Sequence, residues 1–386
     1  MGIGGQSVLA SLLVATALLP QARAQTAPSP SDALRAALPT ICAGAVRDLA
    51  LRCAALGAVG SGGFESAAQA QRLGELPGHA RVADTQRGSS EASAPRDADA
   101  AQPWSAWASV IDGGLDRREG RIEAGFEAGR TGLLLGAGWQ PLPTLSLDGG
   151  WQSLRETLDY TASDGRLDAR VDGPLLVAAW MPSTTWRLEA QADWSEGRLE
   201  SRRRVRYALP GGESIDSEAR ARTDTRRRGA ALSVRRNDSF GAISIDSGLG
   251  IDDSRVRIAP YAESGGAGWA LAVPGRERRT RRVQLDAMVS GAMSRPSGVW
   301  VPSARVTAIR ELDDPSRTLG VRFLDDARGT PVRFATEEPD DQWIDVALGL
   351  TWVRTGGRSF FVETRHRLGH RFLRERQLAV GFRIER

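Results

Sequence analysis

Arginine dominates the chemistry open to this chain. There is no lysine, and the arginines gather in runs: Arg202-Arg203-Arg204 with Arg206, Arg226-Arg227-Arg228, and Arg276, Arg278, Arg279, Arg281 and Arg282. A guanidinium is a planar fork that matches phosphate oxygens two at a time, so phosphate binding is the first chemistry to consider. Ion pairing with Glu200, Glu213 and Glu218 is the other use open to the same side chains. The two cysteines, Cys42 and Cys53, could form a bridge. His366 and His370 could hold a metal or move a proton, but no cysteine or third histidine accompanies them. They read as polar decoration of a loop. His79 stands alone, and no Gly-x-Ser-x-Gly elbow occurs. The pairs Asp325-Asp326 and Asp340-Asp341 could bind calcium weakly, with solvated loop charge as the default reading. No catalytic, metal or cofactor site is expected, and the chain is not read as an enzyme. A net charge of +4 over 386 residues does not argue for nucleic acid.

The elements that must carry these residues are clearest near the end of the chain. From Ile344, the residues Ile344, Val346, Leu348, Leu350 and Trp352 fall on one face, with Asp345, Ala347, Gly349 and Thr351 on the other. Thr355-Gly356-Gly357 turns the chain. Phe360, Val362, Thr364 and Leu368 then oppose Phe361, Glu363, Arg365 and Arg367. Leu378, Val380, Phe382 and Ile384 alternate with Ala379, Gly381, Arg383 and Glu385. Period two puts alternate side chains on opposite faces of a sheet. The same alternation marks Leu145–Trp151, Trp186–Trp194, Ile243–Ile251 and Val283–Val289.

The N-terminal part is different. An apolar run from Val8 to Leu19, followed by Ala22-Arg23-Ala24, reads as a secretory signal over residues 1–24, although no basic residue precedes it. From Ser31 an amphipathic helix follows, its apolar face running through Leu34, Leu38, Ile41, Ala45, Leu49, Cys53 and Leu56, with a break expected at Pro39. On one straight helix Cys42 and Cys53 would be about 16 Å apart, whereas a disulfide needs Cα atoms within about 7 Å. Either the helix folds into a hairpin near Gly44 and the thiols bond, or it is straight and they are free. An exported chain meets an oxidising compartment, which favours the bridge. Gly57 to Gln102 reads as a linker, and all eleven tryptophans lie beyond residue 103.

Residues 103–386 read as strands and turns, in about twelve runs. These are 104–116, 120–141, 144–160, 165–182, 184–206, 217–237, 239–260, 276–296, 298–313, 341–355, 358–369 and 371–385. Every other connection is tight: Pro141–Thr144, Pro182–Thr185, Asn237–Phe240, Pro296–Gly298 and Thr355–Gly357. Those between are longer, reaching Tyr207–Ser217, Tyr261–Gly275 and Asp314–Asp340. Short turns at one rim and long loops at the other is the pattern of an outer-membrane barrel. Trp104, Trp139, Trp180, Trp186, Trp300 and Trp352 all fall near the short-turn rim, where an interfacial girdle of indoles belongs. A soluble β-sandwich also alternates, but its strands are shorter, about five or six residues. The expected fold is therefore all-β: a twelve-stranded antiparallel transmembrane β-barrel preceded by a short helical segment. A mean hydropathy of −0.30 with 25% charged residues excludes a bundle of membrane helices.

Particular segments carry a family likeness. Ser303 to Leu312, Asp341-Gln342-Trp343-Ile344, Gly349-Leu350, Arg365-His366-Arg367-Leu368-Gly369 and the final Leu378 to Ile384 resemble the β-domain of autotransporters, the translocator barrel of type V secretion. The resemblance implies a monomeric twelve-stranded barrel in a Gram-negative outer membrane. It implies export by the general secretory pathway with periplasmic chaperones, and insertion by the barrel assembly machinery. Such a barrel translocates or anchors an N-terminal passenger, here only the short region 25–102. A passive pore plugged by the N-terminal helix is the alternative. Lipopolysaccharide would offer phosphates at the outer rim. Arg202, Arg203, Arg204, Arg226, Arg227, Arg228, Arg278, Arg279 and Arg281 are then candidate phosphate ligands, with ion pairing equally open to them.

Overall fold

The structure, a computed structural model, describes residues 30–55, 104–120, 124–161, 164–208, 214–313, 318–335 and 340–385. The expected signal over 1–24 and the linker lie outside the described residues. Twelve long strands form the barrel. They are β1 (Trp104–Arg117), β2 (Phe126–Leu142), β3 (Leu145–Tyr160), β4 (Arg166–Trp180), β5 (Trp186–Ala208) and β6 (Ser214–Phe240), then β7 (Ile243–Ile258), β8 (Arg276–Gly291), β9 (Gly298–Glu311), β10 (Gln342–Arg354), β11 (Arg358–Leu368) and β12 (Leu373–Glu385). Each pairs antiparallel with the next, and β12 returns to pair with β1, from Ser105 opposite Glu385 to Arg117 opposite Leu373. The ring is closed and leaves no strand edge.

The alternation in the sequence is the alternation of the wall. Leu348, Leu350, Phe360, Leu378, Phe382, Trp186, Leu249, Leu285 and Val289 are exposed on the outside, while Ala347, Thr351, Phe361, Glu363, Ala379, Glu189, Asp246 and Asp286 are buried inside. Outside in this fold means lipid, so exposed leucine and phenylalanine are at home there. The interior is packed close to the short-turn rim. The Trp107 indole lies across the lumen face of β2 and β3 on a floor of two glycines. A Cβ at Gly136 would sit 2.1 Å from its ring, and one at Gly150 2.9 Å.

Several boundaries differ from those expected. β2 begins at Phe126 rather than near 120, and Gly125 just before it lies close to the Arg117 carbonyl at the long-loop rim. β6 runs through the expected Asn237–Phe240 turn to end at Phe240. The reversal falls at Gly241, whose φ of +65° only glycine adopts freely. β5 and β6 run on to Ala208 and from Ser214, so their hairpin stands above the rim. The helix continues through Pro39, and the break falls after Gly44: α1 is Pro30–Gly44 and α2 is Arg47–Ala55. Proline weakens a helix but does not end it when tertiary contacts hold it, and here those contacts set the break.

One test of the packed lumen follows. Gly136→Leu should destabilise the barrel by about 1–3 kcal/mol, the usual cost of overpacking. The readout is the temperature at which the compact gel band converts to the unfolded one, and an unchanged temperature would contradict the packing.

Candidate functional site

The long-loop rim is built, not loose. Leu271–Val273 pairs with Tyr261–Ala262 on one side and with Thr318–Phe323 on the other, and Thr318–Phe323 pairs with Val332–Ala335. The loop after β7 and the loop after β9 thus zip into one four-stranded sheet. The α1–α2 hairpin packs on it. Leu34, Ile41 and Leu49 from the helices, Trp269, Leu271, Val273, Val321, Phe323, Val332 and Phe334 from the loops, and Val205 from β5 form one buried apolar cluster. The helix face read from the sequence is the face that docks, with Leu38, Ala45 and Cys53 at its margin. Leu56 lies outside the described residues.

Main-chain contacts fix the seat. The Val46 N–H donates to the Asp325 carbonyl at 2.8 Å, and the Ala327 N–H donates to the Gly44 carbonyl at 2.8 Å. Both are made where the helix breaks, which is why the chain bends there and not at Pro39. Gly44 has no room for a side chain, since a Cβ would lie 2.3 Å from an Asp326 oxygen. Gly268 is equally constrained: its φ is +92°, and a Cβ would lie 2.7 Å from the Leu49 nitrogen. Cys42 and Cys53 are bonded, with Cα atoms 5.4 Å apart, and staple the two helices. Asp326 is buried rather than solvated. Burial alone would raise its pKa, but hydrogen bonds from Thr330, and from the Arg328 N–H, hold it below its ordinary value.

The cap is riveted to the barrel by Arg203. Its guanidinium donates to Glu263 at 3.0 Å and to the Trp269 carbonyl at 2.7 Å. Glu263 also accepts the Leu271 N–H at 2.9 Å. Arg203, Val205 and, on β6, Ala219 belong to the inward-facing series of the protruding hairpin, and all three are buried. The cap therefore leans over the barrel mouth rather than outward over the lipid.

Below the mouth the lumen wall is wired by ion pairs. Arg130 of β2 reaches Glu156 of β3 at 3.3 Å and Glu375 of β12 at 3.1 Å. Glu375 takes Arg367 of β11 at 2.8 Å, and Arg367 takes Asp345 of β10 at 3.2 Å. Arg235 bridges Asp246 and Asp286, and Arg278 and Arg282 share Glu311. Arg367 and Arg282 also lie over the Trp343 ring, at 4.9 and 5.4 Å. His370 sits in the last turn of the long-loop rim, where its Nδ1 accepts the Leu373 N–H at 3.1 Å. Burial, then Arg367, Arg117 and Arg282, push it down to about 3. It stays neutral and braces the turn. His366 is on the outer face beside Thr364. Among the described residues no cluster of three metal-ligating side chains occurs.

The candidate arginines divide by strand parity. Neighbouring residues of a strand point to opposite faces, so a run of three arginines cannot form one site. Arg202, Arg204, Arg226, Arg228, Arg279 and Arg281 face outward and are exposed. Arg203, Arg227 and Arg278 face inward, with Glu263, Asp193 and Glu311 as partners. For these three, a lipid-facing role is corrected. Outward, Arg204 pairs with Asp216 at 2.6 Å, Arg226 with Glu196 at 3.2 Å and Arg281 with Asp313 at 2.8 Å. Arg279 pairs with Asp253, and Glu200 and Glu218 are taken by Arg222 and Arg220. Glu213 lies outside the described residues. The six indoles do gather at the short-turn rim. Trp104 and Trp139 are cross-strand partners with rings 5.9 Å apart, and Trp300 and Trp352 match them at 5.7 Å. Trp180 and Trp186 are exposed beside them. Sequence reading missed the cap. Its signal was the alternation Val321, Phe323 and Val332, Phe334 around Asp325–Thr330, with Trp269 alone in the other loop.

Comparison with known proteins bears on the whole barrel. The family described as autotransporter beta-domain matches residues 106–365. No curated protein matches. Among solved structures, the chain is similar to the translocator domain of the autotransporter NalP from Neisseria meningitidis, at 14% identity and a TM-score of 0.57, covering 84% of this chain and 98% of that one. The β-domain of the Bordetella autotransporter BrkA is matched at 11% identity and a TM-score of 0.49, covering 74% and 100%. The transport unit of AIDA-I from Escherichia coli is matched at 12% identity and a TM-score of 0.45, covering 80% and 99%.

Two variants test the cap. Replacing both Cys42 and Cys53 by serine should cost the hairpin about 2–4 kcal/mol. Limited proteolysis should then cut within residues 30–55 while the barrel band persists. Arg203→Ala strands a buried carboxylate, a loss of about 3–5 kcal/mol, and should open the cap to protease at Tyr261–Val273. Resistance equal to wild type in either case would contradict the described packing.

Proposed function

The chain belongs to the autotransporter β-domain family, whose barrels lie in the Gram-negative outer membrane, and on that premise we propose that it carries its own N-terminal segment to the cell surface and holds it there. The described part of that segment is the disulfide-stapled hairpin of the cap. One observation carries this reading. The α1–α2 hairpin packs at the long-loop rim, whereas β1 begins at Trp104 on the short-turn rim, beside the end of β12. The chain between Ala55 and Trp104 has to join the two rims. Lipid does not accept unpaired backbone polar groups, so delivery of the hairpin to that rim calls for a water-compatible path, and the lumen with its ion-paired wall offers one. Length is no obstacle: some fifty residues can span about 160 Å when extended, against a bilayer of about 40–45 Å.

In this reading the general secretory pathway exports the chain, periplasmic chaperones hold it and the assembly machinery inserts it as a monomer. The β-domain is a translocator fold, not an enzyme fold. A plain pore plugged by its N-terminal helix fits less well, since the described helices lie over the mouth and belong to the outer cap.

An epitope inserted after Ala27 tests the proposal. Antibody should bind it on intact cells. Binding only after the outer membrane is permeabilised would overturn the surface assignment.

A further inference from the structure

The outer face of β6, β7 and β8 carries a charge pattern that the ion pairs do not absorb. Going up these strands on the lipid side, Leu232, Ile251 and Val283 lie in one cross-strand row. The next row is Ala230, Asp253 and Arg281. Above it Arg228, Arg255 and Arg279 stand side by side, with Trp194 of β5 opposite Arg228. Above that come Arg226, Arg257 and Glu277. Directly opposed like charges destabilise a sheet, because their Cβ atoms are only about 5 Å apart. Here three guanidinium groups share a row.

The neighbouring carboxylates are few: Glu277 stands across from Arg257, and Asp253, Asp313 and Glu196 are committed elsewhere. Asp253 is held by Arg279, and its charge also reaches Arg255 and Arg281. Arg281 uses Asp313 and Arg226 uses Glu196. Arg228, Arg255 and Arg257 make no salt bridge or side-chain hydrogen bond among the described residues, and all three are exposed. Arg228 and Arg255 stand side by side, and an anion between them would relieve the repulsion of the row.

Height decides which anion. From Ile243 to Ile251 the lipid face of β7 is apolar apart from Ser247, a rise of about 27 Å along a strand. At the usual tilt of about 35–45° this is a height of roughly 20 Å, most of the ~25 Å apolar band of outer-membrane barrels. The arginine rows begin just above its outer edge, and the exposed Trp194 indole marks the same level. An anion presented there is the phosphate of a lipid headgroup in the outer leaflet.

We propose that Arg228, Arg255 and Arg257 form a binding site for the phosphates of lipopolysaccharide, with Trp194 against the headgroup boundary. The guanidinium forks take phosphate oxygens in pairs. The site relieves the repulsion between the rows and pins one side of the barrel to its lipid, on the flank that carries the cap hairpin. The proposal needs the long-loop rim to face outward, which the epitope experiment tests separately.

The experiment uses the full mature chain, delipidated in maltoside micelles, with lipid A as probe and Trp194 quenching plus native mass spectrometry as readouts. Wild type should bind lipid A, and the triple variant R228S/R255S/R257S about tenfold or more weakly. A control, R236S/R358S, removes two outward arginines from the short-turn rim and should bind as wild type. Dephosphorylated lipid A should bind wild type about tenfold more weakly, and inorganic phosphate at equal concentration should not displace lipid A. Retention of the compact gel band shows that each variant is folded. Equal binding by the triple variant, equal loss in the control, equal binding of the dephosphorylated lipid or full displacement by inorganic phosphate would each overturn the proposal.

Discussion

A polypeptide crossing lipid must hydrogen-bond every backbone N–H and C=O to itself, because the solvent offers nothing in return. In a sheet, that requirement is met only by closure, and here closure is the pairing of β12 with β1. The rest follows from it. Once the ring is shut, alternate side chains must choose between two solvents, and the sequence has to be apolar and polar by turns. With twelve strands, the same condition makes the termini of the barrel adjacent at one rim.

Closure also creates an interior that has to be filled or wetted. This chain lines much of it with paired charges. Arg130, Glu156, Glu375, Arg367 and Asp345 run round the wall from β3 to β10. A buried pair is costly to desolvate and costlier to break, so such a belt favours one register among twelve strands more than it adds stability. The Arg203–Glu263 pair does the same for the cap, choosing where it sits against the wall. Leucine and tryptophan in the cluster around Trp269 supply the adhesion that the charged pair cannot.

Much of this is legible in the sequence. Ile344 to Trp352 and Leu378 to Ile384 alternate so strictly that their faces could be assigned residue by residue, because period two is a local property. The hairpin was half legible. Leu34, Ile41 and Leu49 marked a buried face and Cys42 with Cys53 a bend, but no local rule names what a face packs against. The break at Gly44 rather than Pro39 has the same origin, since it is made by the Asp325 carbonyl and the Ala327 N–H, nearly three hundred residues away. The arginine runs were misread for a different reason. Arg203, Arg227 and Arg278 were grouped with their neighbours by proximity in sequence, although in a strand the nearest neighbour is always on the other side.

The hairpin meets the cap sheet through an apolar cluster, main-chain hydrogen bonds and two glycine-sized notches, and none of these depends on the chain that leads to β1. It is therefore seated like a small subunit that happens to be tethered. While the tether is whole, local concentration in the millimolar range keeps the seat occupied. If a protease severed the tether after delivery, the barrel would still wear its lid, as a two-chain particle with the bolt already shot.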